Sequence, residues 1–371
     1  MRHSRLTKAS IIALLAATAL GLTTPALAQN YRVDVYDSTD GLITNTLYDV
    51  TQDAAGYMWF ATRHGLIVYD GLAWREINPG REISDLEFGE LATDALGRVW
   101  SATLYSPFEV TLHGVDRGSA AVYEAPLRKV NAAIVSLAVS ARRDSMDWIA
   151  LSTMGHEVAL WNGEIWRVLD EAAGLGTTHS LIFHEDHLLL ASDSGLRQWL
   201  VGDADSQPEA VAGVPAGTIV AVCAASGGGL WIVSPDWIGM LDQDGFRTIS
   251  VGPFPDLGLT SSGTTALEGP AGGLFFGNGT AVYSYHSETG VELLGKHNGL
   301  VSAGATGICL DREGSVWIST LRGVSKLMSR DLMSYTPRHG LYSDEVSSVI
   351  EMGSGVVVLG HYGGLTFLDT E

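Results

Sequence analysis

The chain has 371 residues, and its 42 acidic against 22 basic side chains give a formal net charge of −20. Such a surface repels the phosphates of nucleic acid and of anionic lipid, so the composition argues against nucleic-acid and peripheral membrane binding. The only two cysteines, Cys223 and Cys309, exclude a disulfide framework as the basis of the fold.

The N-terminal segment has the composition of an export signal. Three of the basic residues lie among the first eight, and an uncharged apolar run follows over residues 11–22. Ala26 and Ala28 then give the small-x-small pattern that a signal peptidase needs. The alternative, a membrane anchor, requires an apolar run of roughly 20 residues, and this run is shorter. We therefore predict a signal peptide over 1–28, a mature domain over 29–371, and a periplasmic or secreted location.

A repeated motif occupies the rest of the chain. The pattern D-x-x-G-x-φ-W-x-[AS]-T, where φ is apolar, begins at Asp53, Asp94 and Asp311. Weaker copies fall between and after these three, and the anchor positions are 59, 100, 148, 189, 231, 275, 317 and 357. The spacing of 40 to 48 residues is that of one four-stranded propeller blade. The repeated tryptophans, Trp148 among them, are predicted to be core, and the repeated aspartates to cap turns.

The pattern within each unit predicts strands. A β-rich run leads to an Asp/Gly turn, a short apolar strand and a glycine, then another strand, as in the segment 46–69. A fourth, less regular strand leads to the next unit. Since no segment has a helical period over ten or more residues, we predict an all-β chain forming a single propeller.

Eight repeats can be counted, and the chain ends bear on how the ring closes. A strand over 31–36 precedes the first repeat, and the eighth unit offers only three strands. We expect the N-terminal strand to complete the eighth blade of one ring, because closure removes exposed edges. The alternative is a ring of seven blades followed by the start of a second propeller.

Segments near both ends of the repeat array resemble a known family. The segments 40–53, 56–66 and 69–71 look like the two-component regulator propeller repeat, and the likeness returns over 299–327. The resemblance implies the periplasmic sensor domain of a bacterial receptor, linked to a histidine kinase or a diguanylate cyclase, that recognises a small molecule or a carbohydrate. Such receptors usually continue into further repeats, a membrane helix and an output domain, so a membrane-bound partner or additional domains are also implied.

Topology suggests where a ligand would bind. The loops between the second and third strands emerge on the same face as the connections between blades, and loops carry function more often than strands. On this face the predicted ligand-binding side chains are Arg63, His64, Tyr105, His156, Trp237, Arg322, His361 and Tyr362. The inter-blade connections add Asp40, Asn45, His179, His339 and Tyr342. Aromatic and hydrogen-bonding groups together suit a sugar or another small polar molecule.

The sequence contains no complete catalytic motif. Nucleophile elbows, phosphate-binding loops and dinucleotide fingerprints are missing, and the histidines lack the short spacing of a metal site. We therefore predict no catalytic residue, cofactor or metal, and a non-enzymatic sensor. The alternatives are a protein-interaction scaffold and a secreted propeller glycosidase or lyase, for which a pair of positioned carboxylates would be needed.

Overall fold

The computed structural model describes residues 31–77, 88–103, 110–116, 119–125, 127, 134–140, 148–257, 263–329, 341–343, 345–352 and 356–369. The predicted signal peptide lies outside these residues. The chain divides into two compact units, one spanning Val33–Met328 and the other made of Met1–Arg32 with Ser329–Glu371.

The first strands along the chain build two sheets. The N-terminal strand is β1 (Tyr31–Tyr36). The first sheet holds β2 (Leu47–Gln52), β3 (Met58–Thr62), β4 (Gly65–Tyr69) and β5 (Trp74–Ile77). The second holds β6 (Phe88–Thr93), β7 (Val99–Thr103), β8 (Val110–Asp116) and β9 (Ser119–Ala125).

The third to fifth sheets repeat this order. The third holds β10 (Ile134–Val139), β11 (Ile149–Thr153), β12 (Val158–Trp161) and β13 (Trp166–Leu169). The fourth holds β14 (Thr178–His184), β15 (His187–Ser192), β16 (Gly195–Leu200) and the two-residue β17 (Glu209–Ala210). The fifth holds β18 (Ala221–Ala224), β19 (Leu230–Val233), β20 (Trp237–Asp242) and β21 (Gly245–Val251).

Two further sheets complete the larger unit. The sixth holds β22 (Thr265–Glu268), β23 (Leu274–Gly277), β24 (Val282–His286) and β25 (Gly290–Leu294). The seventh combines β26 (Gly307–Leu310), β27 (Val316–Thr320) and β28 (Gly323–Ser329) with β1. In the other unit, β29 (Ser348–Glu351), β30 (Val356–His361) and β31 (Gly364–Asp369) form a three-stranded sheet. Helical turns in the described residues are 3-10 turns at Ser38–Asp40, Glu171–Ala173, Pro255–Leu257, Pro270–Gly272 and Lys296–Asn298.

The seven four-stranded sheets close into a ring. The first strand of each sheet packs against the first strand of the next, in the order β2, β6, β10, β14, β18, β22, β26, and β26 returns to β2. In the described residues, apolar clusters lie between consecutive sheets from the first to the sixth and between the seventh and the first, so the core is distributed around the ring. The prediction of an all-β propeller with four-stranded blades is confirmed.

The position of the N-terminal strand differs from our expectation. We expected β1 to complete the eighth unit, and that is wrong, because β1 lies beside β28 in the seventh sheet. Its position agrees with the alternative in which a further repeat follows a ring of seven. The physical reason is a set of aromatic contacts that hold β1 in the seventh sheet. Tyr36 stacks on Trp317, with ring centroids 5.7 Å apart, and also packs against Tyr69 and Trp74. These contacts join the seventh sheet to the first.

The repeated Asp and Trp residues act together as a latch within each strong repeat. One aspartate oxygen accepts backbone N–H groups of the turn, and the other accepts the indole N–H of the anchor tryptophan. The indole bonds are 2.9 Å for Asp53–Trp59, 2.9 Å for Asp94–Trp100 and 2.7 Å for Asp311–Trp317. The four tryptophans Trp59, Trp100, Trp231 and Trp317 are buried. The predicted turn-capping role is confirmed.

Trp148 does not hold the anchor position that we assigned to it. In the third sheet Ser136 pairs with Ser152, as Asp49 pairs with Ala61 in the first sheet. By that register Ala150 corresponds to Trp59, and Trp148 lies two residues earlier. Trp148 is partly buried and packs at the side of a core cluster. Counting tryptophans alone therefore misplaced this anchor by two residues.

Candidate functional site

A polar layer crosses the middle of the ring because the first strands share an irregularity. In the first four sheets the pairing of the first strand shifts by one residue near its start, and the residue after the shift takes the same register position. The pairing in the other three sheets defines the same position. Around the ring the residues there are Asp49, Glu90, Ser136, Ser180, Ala221, Thr265 and Gly307. Five of the seven are polar, so this layer is unlike an apolar core.

This layer lines a central cavity. The cavity has a volume of about 270 Å³, and its walls come from all seven sheets of the ring. Besides the polar layer, they include His179, Thr306 and the two cysteines. Gly263, in the segment before β22, also lines the cavity and lies close to the third sheet. A Cβ added there would lie 2.4 Å from the Val135 carbonyl oxygen. The cavity is therefore a bounded polar space.

Asp49 is fixed in this space by its neighbours on both sides. Its Oδ2 accepts the Leu91 amide of the second sheet at 2.7 Å, and its Oδ1 accepts the Val50 amide at 2.7 Å. On the other side, a Cβ at Gly307 would lie 2.1 Å from Oδ1, so glycine is needed there for the carboxylate to fit. Burial raises the pKa of Asp49 to about 7, against the lowering effect of the two amide bonds.

Glu90 lies in the next sheet around the ring. Burial raises the pKa of this carboxyl well above its usual range, and the negative charge of Asp49 adds to the effect. No hydrogen-bond donor to the Glu90 carboxyl is found in the described part of the chain. Two like charges in one desolvated site disfavour double ionisation, so near neutral pH the pair retains a proton.

His179 forms the other polar wall of the cavity and pairs with Asp193. The His179 ring is only 6% exposed, and its Nε2 lies 2.8 Å from Asp193 Oδ1. Burial alone would raise the pKa of Asp193, but the hydrogen bonds from His179 and from the Thr177 amide outweigh it and lower that pKa. An ionised Asp193 accepts the Nε2 proton, which leaves Nδ1 as the second polar atom of the ring.

The cysteines are unreactive wall groups. Both are free thiols. Burial raises the pKa of Cys309 to about 12, and the charges of Asp49 and Asp311 add to the shift. Burial likewise raises the pKa of Cys223, to which Glu268 contributes. Since the thiolate is the nucleophile, neither group is activated.

The predicted rim residues are spread over separate loops. Arg63 and His64 form an exposed turn in which Thr62 Oγ1 accepts the His64 amide and donates to the Gly65 carbonyl oxygen. In the seventh sheet, Arg322 takes the position of His64: Thr320 Oγ1 accepts the Arg322 amide and donates to the Gly323 carbonyl oxygen. Both turns leave their basic side chains at the surface.

Two other rim residues are more enclosed. His156 has a left-handed backbone, with φ of 63°, and its Nδ1 lies 3.4 Å from Thr177 Oγ1. Because the Thr177 amide binds Asp193, His156 is connected to the His179 pair. Trp237 is partly buried, with its ring 5.2 Å from that of Phe246.

The last three predicted residues do not belong to the seven described sheets of the ring. Tyr105 lies outside the residues that the structure describes, and His361 and Tyr362 belong to the smaller unit. In the smaller unit, His361 is buried, and its two ring nitrogens bond the Glu345 carbonyl oxygen and Thr366 Oγ1, each at 2.9 Å. Tyr362 is 97% exposed. A shared site for all eight residues remains a prediction.

Sequence reasoning missed Asp49 and Glu90. Both lie within predicted first strands, whereas the predicted ligand-binding residues lie on loops. The available signal was a charged residue at one repeat position of two consecutive units, twelve residues before Ala61 and Ala102 respectively. A carboxylate in a strand that is otherwise apolar is a candidate for buried polar function.

No family model matches the chain, and no curated protein sequence matches it. Solved structures do. The chain is similar to a streptogramin B lyase at 14% identity, with a TM-score of 0.61, over 81% of this chain and 98% of that one.

Two extracellular domains from B. thetaiotaomicron are also similar. The domain of the hybrid two-component system BT3049 has 16% identity and a TM-score of 0.59, over 92% of this chain and 48% of that one. The domain of the one-component system BT4673 has 15% identity and a TM-score of 0.60, over 91% and 45%. The chain thus spans about half the length of these extracellular domains. At such identities the comparisons show a shared β-propeller fold.

Proposed function

We propose that this protein is the extracytoplasmic, non-catalytic ligand-sensing propeller of a bacterial signalling receptor, and that it binds a small polar molecule such as a carbohydrate. The observation that carries the proposal is the polar cavity at the centre of the ring. Its carboxylates, hydroxyls and histidine offer hydrogen-bond partners to a hydroxyl-rich ligand.

The size of the cavity limits the ligand. Small-molecule pockets typically enclose about 300–1,000 Å³, and this cavity of about 270 Å³ lies just below that range. A molecule of monosaccharide or amino-acid size fits that volume better than a polysaccharide chain. The propeller fold shared with extracellular domains of two-component systems supports a sensory use of such a site.

No helix among the described residues is long and apolar enough to cross a membrane. We propose that signalling passes through a membrane-bound partner or through further domains, as the half-length coverage of the extracellular domains suggests. Chemical cross-linking in membranes of the source organism, followed by mass spectrometry, tests for such a partner.

A thermal-shift screen of the purified protein against monosaccharides, amino acids and amines tests ligand binding. A ligand at about 100 times its dissociation constant stabilises the fold by roughly 2.7 kcal/mol. We expect Ser180→Val, which removes a hydroxyl from the polar layer, to weaken the response. Asp244→Asn, at an exposed carboxylate in the β20–β21 turn, is the matched control and should bind normally, while Arg63→Ala and Arg322→Ala test the predicted rim contacts.

The outcomes of this screen separate the alternatives. A response lost with the two arginine variants and kept with Ser180→Val would move the ligand from the cavity to the rim loops. A protein that binds no small molecule while cross-linking to a protein partner would contradict the sensor proposal and favour a scaffold. Turnover of a bound saccharide would contradict the non-catalytic part.

A further inference from the structure

The described wall of the cavity is acidic on one side. Asp49 and Glu90 are the two carboxyl groups among the described lining residues, none of which is a lysine or an arginine. His179 is the one residue of this described lining with a nitrogen in its side chain, and it already donates to Asp193. The carboxyl groups of this wall therefore attract a positive group, and no lysine or arginine of the described lining repels one.

Two observations indicate that the wall is open to a ligand. The Glu90 carboxyl has no hydrogen-bond donor among the described residues, although its side chain is partly buried in the cavity wall. The His179 ring is more than nine-tenths buried, and no partner for its Nδ1 is found in the part of the chain that the structure describes. Buried polar groups are normally satisfied by the protein, by water or by a ligand.

The geometry of Asp49 shows that the carboxylate is built into the ring. Two amide bonds hold it, and the glycine at 307 leaves the space that it occupies. Asp49 and Glu90 take the same register position in adjacent sheets, so both project from equivalent places on the inner strands. A solvated surface group would need none of these arrangements.

We infer that the ligand of this cavity carries a protonated amine, and that its ammonium group binds the carboxylates of Asp49 and Glu90. This inference rests on the proposed ligand-sensing function and specifies the ligand class. In the described residues no three His, Cys, Asp or Glu side chains are grouped to hold a metal ion, which favours an organic cation. The serine and threonine hydroxyls of the layer then bind the polar remainder of the molecule.

Binding displaces a proton. Near neutral pH the two carboxyls together retain one proton, and the positive charge of a bound ammonium ion favours loss of that proton. The proton leaves to solvent, while the amine keeps its own. The other titratable groups of the lining are His179, Cys223 and Cys309, and Asp193 and Asp311 lie behind them.

Titration calorimetry with matched probes tests the inference. D-glucosamine and D-glucose differ by one ammonium group, as do 6-aminohexan-1-ol and hexane-1,6-diol. We expect at least one amine to bind about tenfold or more tightly than its alcohol, which corresponds to about 1.4 kcal/mol. Repeating the titration near pH 6.5 in buffers of different ionisation enthalpy should reveal proton release with the amine only.

Two variants identify the carboxylates. Glu90→Gln keeps the shape of the side chain and should lower amine affinity about tenfold without affecting the alcohols. Asp244→Asn, at an exposed carboxylate in the β20–β21 turn, is the matched control and should bind like the unaltered protein. Asp49→Asn is the second test, and equal thermal melting of each variant shows that it has folded.

The results distinguish this inference from the function on which it rests. If the alcohols bind as tightly as the amines, or if Glu90→Gln leaves amine binding unchanged, the ammonium site is refuted and ligand sensing stands. If a neutral or acidic compound binds in the cavity and no amine does, the ammonium site is likewise refuted and ligand sensing stands. If nothing in the panel binds at millimolar concentration, both proposals fail.

Discussion

Replacing Asp49 by asparagine should change how the stability of the protein depends on pH. An acid whose pKa is raised on folding binds its proton more tightly in the folded state than in the unfolded state. Its contribution to stability is therefore complete below the unfolded pKa and is lost as the pH rises through the folded pKa. For Asp49 that window runs from 3.8 to about 7.

The magnitude follows from the shift. Each pH unit corresponds to 1.36 kcal/mol, so about three units give an upper limit of about 4 kcal/mol. Water in the cavity reduces the effect, and we expect about 1–4 kcal/mol. Asparagine has a single side-chain oxygen and can keep only one of the amide bonds from Val50 and Leu91, a loss of about 1 kcal/mol at every pH. The variant should be less stable near pH 4 and gain on the parent protein as the pH rises.

Equilibrium urea denaturation followed by tryptophan fluorescence measures this difference. The parent protein, Asp49→Asn and the surface control Asp244→Asn are compared at several pH values between about 4 and 8. The control should follow the parent at a constant offset. Parallel curves for the parent and Asp49→Asn would refute the buried, proton-retaining carboxyl.

Three further outcomes are expected. Gly307→Ala forces a Cβ to within 2.9 Å of the Asp49 Cα and the Val50 nitrogen on the neighbouring strand β2, and should lower the unfolding free energy by about 1–3 kcal/mol in urea melts; Gly202→Ala, with open space around it, should leave that free energy within about 0.5 kcal/mol. Asp53→Ala removes a buried acceptor of turn amides and of an indole, so the thermal midpoint should fall, by about 2–4 kcal/mol in free energy; an unchanged midpoint would contradict the latch. Cys223 and Cys309 should resist iodoacetamide at about pH 8 in the folded protein and react in urea, as counted by intact mass; fast modification of the folded protein would show that the cavity wall is open.

The repeat made the fold predictable. The Asp-turn-Trp motif imposes the same hydrogen bonds wherever it occurs, so three good copies were enough to locate a blade and its neighbours. The weaker third repeat shows the limit of this approach. Trp148 satisfied the pattern by eye, while the register depends on backbone pairing that places Ala150 at that position.

The closure and the cavity were harder to predict. Closure is decided by which edge the N-terminal strand covers, and a stack between Tyr36 and Trp317 joins residues far apart in sequence. The cavity depends on shifts in pairing at four strand starts, which have no residue signature. His179 was predicted on the binding face, but a single sequence cannot show that its side chain meets Asp193.

The N-terminal strand also orders the events of folding. Six of the ring's sheets are built from consecutive segments, while the seventh needs β1, which is separated from β28 by nearly the whole ring. Such a contact has a large loop-closure entropy and forms late. Until it forms, the edge of β28 is open to a strand from another molecule. A copy that lends its β1 to a neighbour would form a strand-exchanged dimer, so chain concentration during refolding should control how much monomer is recovered.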